Sequence, residues 1–235
     1  MSTQRFSART NQRFRIAILV LAPAVAVLGH GYHPWIGSPG DPDFFDRLAA
    51  AVAADPTRWA VAHLTVAIGS GLLILALLAL RGWLREAGED RWSALGLPFI
   101  VMGSLLYALL PGMEFAAIAA HATGGDVAAV QPALQPWFMP ILVSAAALFA
   151  VGVLGFVVGI ARSGAAGRAV TGVSIAGLVV TAGSRFVPVG AALLYVGPVA
   201  SLIALWALAY AVSRGNARSA APGFAPEPAS LHMRA

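Results

Sequence analysis

Three ionisable side chains in the first half of the chain have the types and positions to do chemistry: His30, His63 and Glu114. Two imidazoles and one carboxylate form a ligand set that suits a divalent metal ion such as zinc or non-haem iron. Two histidines on facing helices can instead ligate a b-type haem. His30 and His63 match best in depth for that, with Arg58 or Arg185 placed to meet the propionates. His121 follows Glu114 on the same helical face but two turns further on, which makes it an alternative ligand. A third chemistry is a proton relay between Glu114 and a histidine, as a transporter or a quinone-linked protein would use. The plain alternative is structural: His30, His33 and His121 lie near an aqueous boundary, and Glu114 pairs with Arg185 or His63 to lock helices together.

What must position these groups is a membrane domain. The chain has 235 residues, 59% hydrophobic and 11% charged, with mean hydropathy +0.79. Soluble domains carry more than twice that share of charge, about one quarter. All fifteen basic residues are arginine, which excludes a Schiff-base lysine. The absence of cysteine excludes disulfides, thiolate metal sites and covalently attached c-type haem. The high pI does not point to nucleic acid, because the arginines fall in short segments between apolar runs.

The apolar runs predict an all-α bundle of six transmembrane helices, at about residues 15–33, 59–80, 92–121, 137–160, 169–187 and 189–212. Residues 1–13 read as a disordered basic leader, 14–213 as the membrane domain and 214–235 as a disordered tail. A basic start followed by a short apolar run also fits a signal peptide, but the run continues past any cleavage site, so a retained first helix is expected. The 34–58 loop contains a short amphipathic helix after Asp43-Phe-Phe-Asp46. The third helix, Trp92 to His121, is interrupted by Pro111-Gly112, and Glu114 follows two residues after Gly112. The fourth carries Gly152, Gly155 and Gly159, a pattern that lets another helix approach closely. Helices four and five are therefore the expected surface for a membrane-protein partner or a second copy.

Arginine placement sets the orientation. The N-terminus, the 81–91 and 162–168 loops and the tail hold twelve arginines; the opposite side holds only Arg47, Arg58 and Arg185. Both termini are expected in the cytoplasm, in the cell membrane, with the histidines toward the outer leaflet. Trp35, Trp59 and Trp137 would then mark the outer interface, and Trp83 and Trp92 the inner one. Arg185, at the outer end of its helix, is expected to snorkel.

Trp59-Ala-Val-Ala-His63 opening a helix, then a basic loop and a helix with an acid after Pro-Gly, resembles polytopic membrane proteins of high-GC bacteria. The resemblance covers the first four helices and brings no activity with it. The functional expectation is a protein binding haem or a metal ion at an outer-leaflet cluster of His30, His63 and Glu114. A cofactor-free accessory subunit and a proton-coupled small-solute transporter are the alternatives.

Overall fold

The computed structural model describes residues 2–38, 40–186 and 190–219. It is helical throughout, with no strand among the described residues. The elements are α1 (Ser2–Tyr32), α2 (Phe44–Ala54), α3 (Pro56–Glu86), α4 (Arg91–Met113), α5 (Phe115–Ala122), α6 (Val127–Ser163), α7 (Arg168–Gly183) and α8 (Gly190–Ser219). A 3-10 turn, Ser184–Phe186, follows α7. Six stretches are long and apolar enough to cross a membrane: Thr10–Tyr32, Pro56–Glu86, Arg91–Ala122, Val127–Ser163, Arg168–Phe186 and Tyr195–Arg214. The helix of the first stretch begins already at Ser2, inside the polar leader. Pro188 and residues 220–235 of the tail lie outside the described residues.

Each long helix packs on the next along the chain, and α8 returns to α1, so the six close a ring. Leu77 and Leu80 of α3, Ile100 of α4, Phe149 and Phe156 of α6, Leu178 of α7, and Leu205 and Leu208 of α8 fill its interior. The closest seam is between α4 and α6, where glycines bring backbones together. A Cβ on Gly103 would lie 2.6 Å from the Phe149 amide nitrogen, and one on Gly96 would lie 2.6 Å from the Gly152 carbonyl. Gly155 faces Gly96, and Gly159 faces Glu89. The glycine row of the fourth long helix is thus occupied inside the chain, against its own neighbour.

Local chemistry explains where the helices start. Asp55 accepts from the Arg58 amide at 2.8 Å and Pro56 takes the first turn, so α3 begins three residues before Trp59. Asp126 accepts from the Ala129 amide at 3.1 Å and starts α6 ten residues before the expected boundary. The helix then runs through Pro132, Pro136 and Pro140. Each proline removes one backbone donor, which reads as loop in isolation, but prolines are tolerated in helices packed within a bundle.

The ring has a histidine end, where His30 and His63 lie, and an arginine end, where Arg81 and Arg85 lie. At the histidine end α2 lies over the bundle, burying Leu48 and Val52 against Trp59, Ala117 and Val127. Trp59 is 1% exposed, so it is a core residue of this cap rather than part of an interfacial belt. Its ring is covered because α2 and α5 close over the start of α3. Trp35 and Trp137 are exposed at the same end.

Candidate functional site

At the histidine end, α1 and α3 bring together His30, His33, Trp59 and His63. The rings of His33 and His63 meet edge to face with centroids 4.9 Å apart. Trp59 lies 4.9 Å from His33 and 4.7 Å from His63. His63 is 8% exposed. His30 lies within electrostatic reach of both other imidazoles.

One hydrogen-bonding rule governs all three. His30 Nδ1 is 2.8 Å from the Ala26 carbonyl, His63 Nδ1 is 2.8 Å from the Trp59 carbonyl, and His33 Nδ1 is 2.7 Å from the Pro34 carbonyl. A carbonyl can only accept, so each Nδ1 carries the hydrogen and each Nε2 keeps its lone pair. Burial holds His33 below the usual imidazole range, against the opposite pull of its bond to Pro34; the charges of His30 and Arg58 lower it further. The indole N–H of Trp59 is buried and has no partner.

Arg185 completes this end of the ring. It leaves the 3-10 turn after α7 and crosses inward instead of snorkelling. Its guanidinium lies 3.6 Å from the ring centre of Phe149 on α6 and 4.4 Å from that of Tyr107 on α4. Phe149 is 1% exposed, which places the charge against the core of the bundle. Two aromatic faces hold it there through their quadrupoles. One of its terminal nitrogens, Nη1, is buried without a hydrogen-bond partner. No carboxylate lies within ion-pairing distance of it among the described residues. Its charge is felt electrostatically at His30 on α1.

Glu114 belongs to a different corner. It is the turn residue between α4 and α5, and its carboxylate accepts from the Gln131 side-chain amide of α6 at 2.5 Å. Gln131 is 3% exposed. The expected pairing of Glu114 with Arg185 or His63 is not made, because Arg185 turns toward Tyr107 and Phe149 while Glu114 turns toward α6. His121 sits exposed at the end of α5, apart from the other histidines. Arg58 donates from Nε to the Tyr32 carbonyl at 2.9 Å, closing the last turn of α1.

Among the described residues no group of three His, Asp or Glu is placed to hold a metal ion. Glu114 is spent on Gln131, and the site's own cation, Arg185, would repel a metal ion near His30. A haem between His30 and His63 meets a second obstacle. A Cβ on Gly29 would lie 3.0 Å from the Val66 backbone nitrogen, and one on Gly69 3.3 Å from the Ala26 Cα. At this level α1 and α3 touch backbone to backbone, with no gap for a tetrapyrrole between the two imidazoles.

The structure adds residues that the sequence did not single out. Tyr107 and Phe149 form the cradle for Arg185, and Gln131 is the partner of Glu114. Phe149 carries no chemical signal of its own in an apolar helix. Gln131 could have been suspected, as an amide one turn into the capped start of α6. At the arginine end, Glu89 is 7% exposed. One of its oxygens accepts from the Trp92 amide at 2.7 Å, capping α4, while the other is buried against Gly159 without a partner. Comparison with protein-family models, with curated proteins and with solved structures finds no match.

Proposed function

We propose that the chain is a multi-pass protein of the cell membrane, with both termini cytoplasmic, that binds a small anionic solute at its outward-facing histidine end. One observation carries this reading: a guanidinium held between aromatic rings, with a buried, unpartnered N–H and no carboxylate in pairing distance among the described residues. A cation left unpaired inside a membrane bundle is costly, and such groups mark solute or ion paths. Arg185 supplies a planar fork of donors that matches a carboxylate or another small oxyanion. Tyr107 and Phe149 fix its direction, and the neutral imidazoles nearby offer polar lining without negative charge. Glu114, with Gln131, stands outside the anion site. The activity that fits is passage or capture of a small carboxylate, with no covalent chemistry asked of the protein.

The test is thermal unfolding of the detergent-purified protein at constant ionic strength with acetate, benzoate, nitrate or sulfate replacing chloride. A ligand at one hundred times its Kd stabilises the folded state by about 2.7 kcal/mol, a shift easily read. At least one anion is expected to raise the midpoint of the native protein and to leave Arg185→Met unmoved. Equal response of the two proteins to every anion would overturn the reading. So would a Soret band or near-stoichiometric metal in the same sample, which would return the histidines to a cofactor.

A further inference from the structure

The rings at the histidine end touch one another and also reach the cap above them. His33 meets His63 edge to face at 4.9 Å, and Trp59 lies 4.9 Å from His33 and 4.7 Å from His63. Trp59 is also the bulkiest member of the small apolar cluster beneath α2, with Leu48, Val52, Ala117 and Val127. We propose that α2 is an acid-released lid over the histidine end, latched by the contact of neutral His33 and His63 with each other and with Trp59. Release of the lid goes beyond anion binding and does not depend on it.

The latch suits neutral imidazoles. Nδ1 of His33 faces the Pro34 carbonyl and Nδ1 of His63 faces the Trp59 carbonyl, so an added proton must sit on Nε2. Among the described residues no carboxylate lies within ion-pairing distance of a histidine. The face of Trp59 can offset one imidazolium. A second, held against the first at ring-contact distance, would be repelled with nothing to answer it. The surrounding groups do not relieve that charge. On α1 and α3 they are His30 and Arg58, which both act against a charge on His33, and Arg185 after α7 acts on His30. On and before α2, Arg47 is bound to Asp41 and Asp43, and Asp46 is exposed. His121, at the end of α5, is exposed. On α6, Asp126 caps its own helix and Gln131 is bound to Glu114 of the turn before α5.

Opening can stay local. The cluster beneath α2 shares no residue with the apolar core that closes the ring. Ile36, three residues beyond His33, packs on that cluster, so the segment that leaves with His33 carries part of the seal. Cooperative units of this kind open while the rest of a fold stays intact. Burial holds His33 below the usual imidazole range in the closed form. Opening therefore takes up a proton, and acid favours it increasingly below about pH 6.5. Separation of the rings admits water to both Nε2 positions and uncovers Trp59.

The chain has no cysteine, so two nitroxide labels can report on the lid. They are attached through Ala50→Cys, on the exposed face of α2, and Ala122→Cys, at the exposed end of α5. The distance between them is read by pulsed electron paramagnetic resonance from about pH 7.5 to about pH 4.5, across the range in which imidazole titrates. A narrow distribution is expected at the upper end. A longer, broader one should replace it in acid and revert when the pH is raised. The ratio of open to closed should rise up to tenfold per pH unit for each imidazole that gains its proton. His33→Phe keeps a ring in the latch but cannot be charged, so it should hold the narrow distribution throughout. Far-ultraviolet circular dichroism should be the same at both ends of the range. A labelled chain whose distances do not change with pH overturns the lid, and so does wholesale loss of helix in acid. The same acid response in His33→Phe overturns the latch. The labelled chain with both histidines in place decides the matter even if His33→Phe does not fold.

Discussion

At the arginine end of the bundle, Arg15 of α1 meets Glu86 of α3 at 2.5 Å, and Arg81 meets Asp90 at 2.5 Å. Glu89 caps the first turn of α4. Opposite charges there answer one another at the boundary between helix and loop. At the histidine end the only comparable pairing among the described residues is in the loop, where Arg47 sits between Asp41 and Asp43. Inside the ring, Glu114 is matched to an amide and Arg185 to two aromatic rings. The arginine end carries two ion pairs at its helix boundaries and a buried Glu89 bound only to an amide, whereas the histidine end holds a guanidinium against aromatic rings with no counter-ion among the described residues. The contrast locates function: paired boundary charges fix helices, whereas a buried cation without an anion waits for one.

The largest effect is expected at the seam that both ends depend on. Gly103→Val would drive a branched side chain into the Phe149 backbone, which cannot yield as a side chain can. Overpacking costs about 1–3 kcal/mol even where neighbours relax, so this variant should fail to give folded protein by size-exclusion chromatography. Next comes Arg185→Met. An orphaned buried donor costs about 1–3 kcal/mol, while a cation–π contact returns about 0.5–2. Removing both should therefore leave the ligand-free protein as stable as before or about 1 kcal/mol more so, while the response to anions disappears. A clear loss of stability without ligand would mean that Arg185 is structural.

Glu86→Gln probes the other end. Its side chain is 58% exposed, so the Arg15 pair is screened and should contribute no more than about 1 kcal/mol. Its anion response should match that of the native protein. The smallest effect concerns pH. His33 is held below the usual imidazole range in the fold, so the unfolded chain binds its proton first. Its contribution to stability is present above about pH 6.5 and is lost as pH falls toward the depressed folded value. His33→Gln should flatten that part of the stability profile in a thermal scan.

The architecture was legible because six apolar runs of membrane length are an unambiguous signal, and the arginines punctuate them. The starts of α3 and α6 were less so, since one side-chain cap outweighed the prolines that follow it. At the site, sequence showed which residues were unusual but not which way they turned. His30 and His63 share a level because α1 and α3 are antiparallel neighbours, and that could be counted out along the helices. Glu114 shares it too, yet its carboxylate points at Gln131, a direction set by the turn at the end of α4. Arg185 was expected at the lipid boundary for its position at a helix end. It lies instead in the 3-10 turn after α7, with its guanidinium against Phe149 and Tyr107. Depth along a helix is written in the sequence, whereas azimuth depends on packing between distant segments.

Equilibrium binding of radiolabelled acetate to the purified native protein and to Arg185→Met measures most directly whether Arg185 holds an anion. Saturable binding near one acetate per chain, displaced by unlabelled nitrate and absent from the variant, is the predicted result. Acetate binding that is equal in both proteins, or absent from the native protein across the pH range in which its histidines titrate, would contradict it.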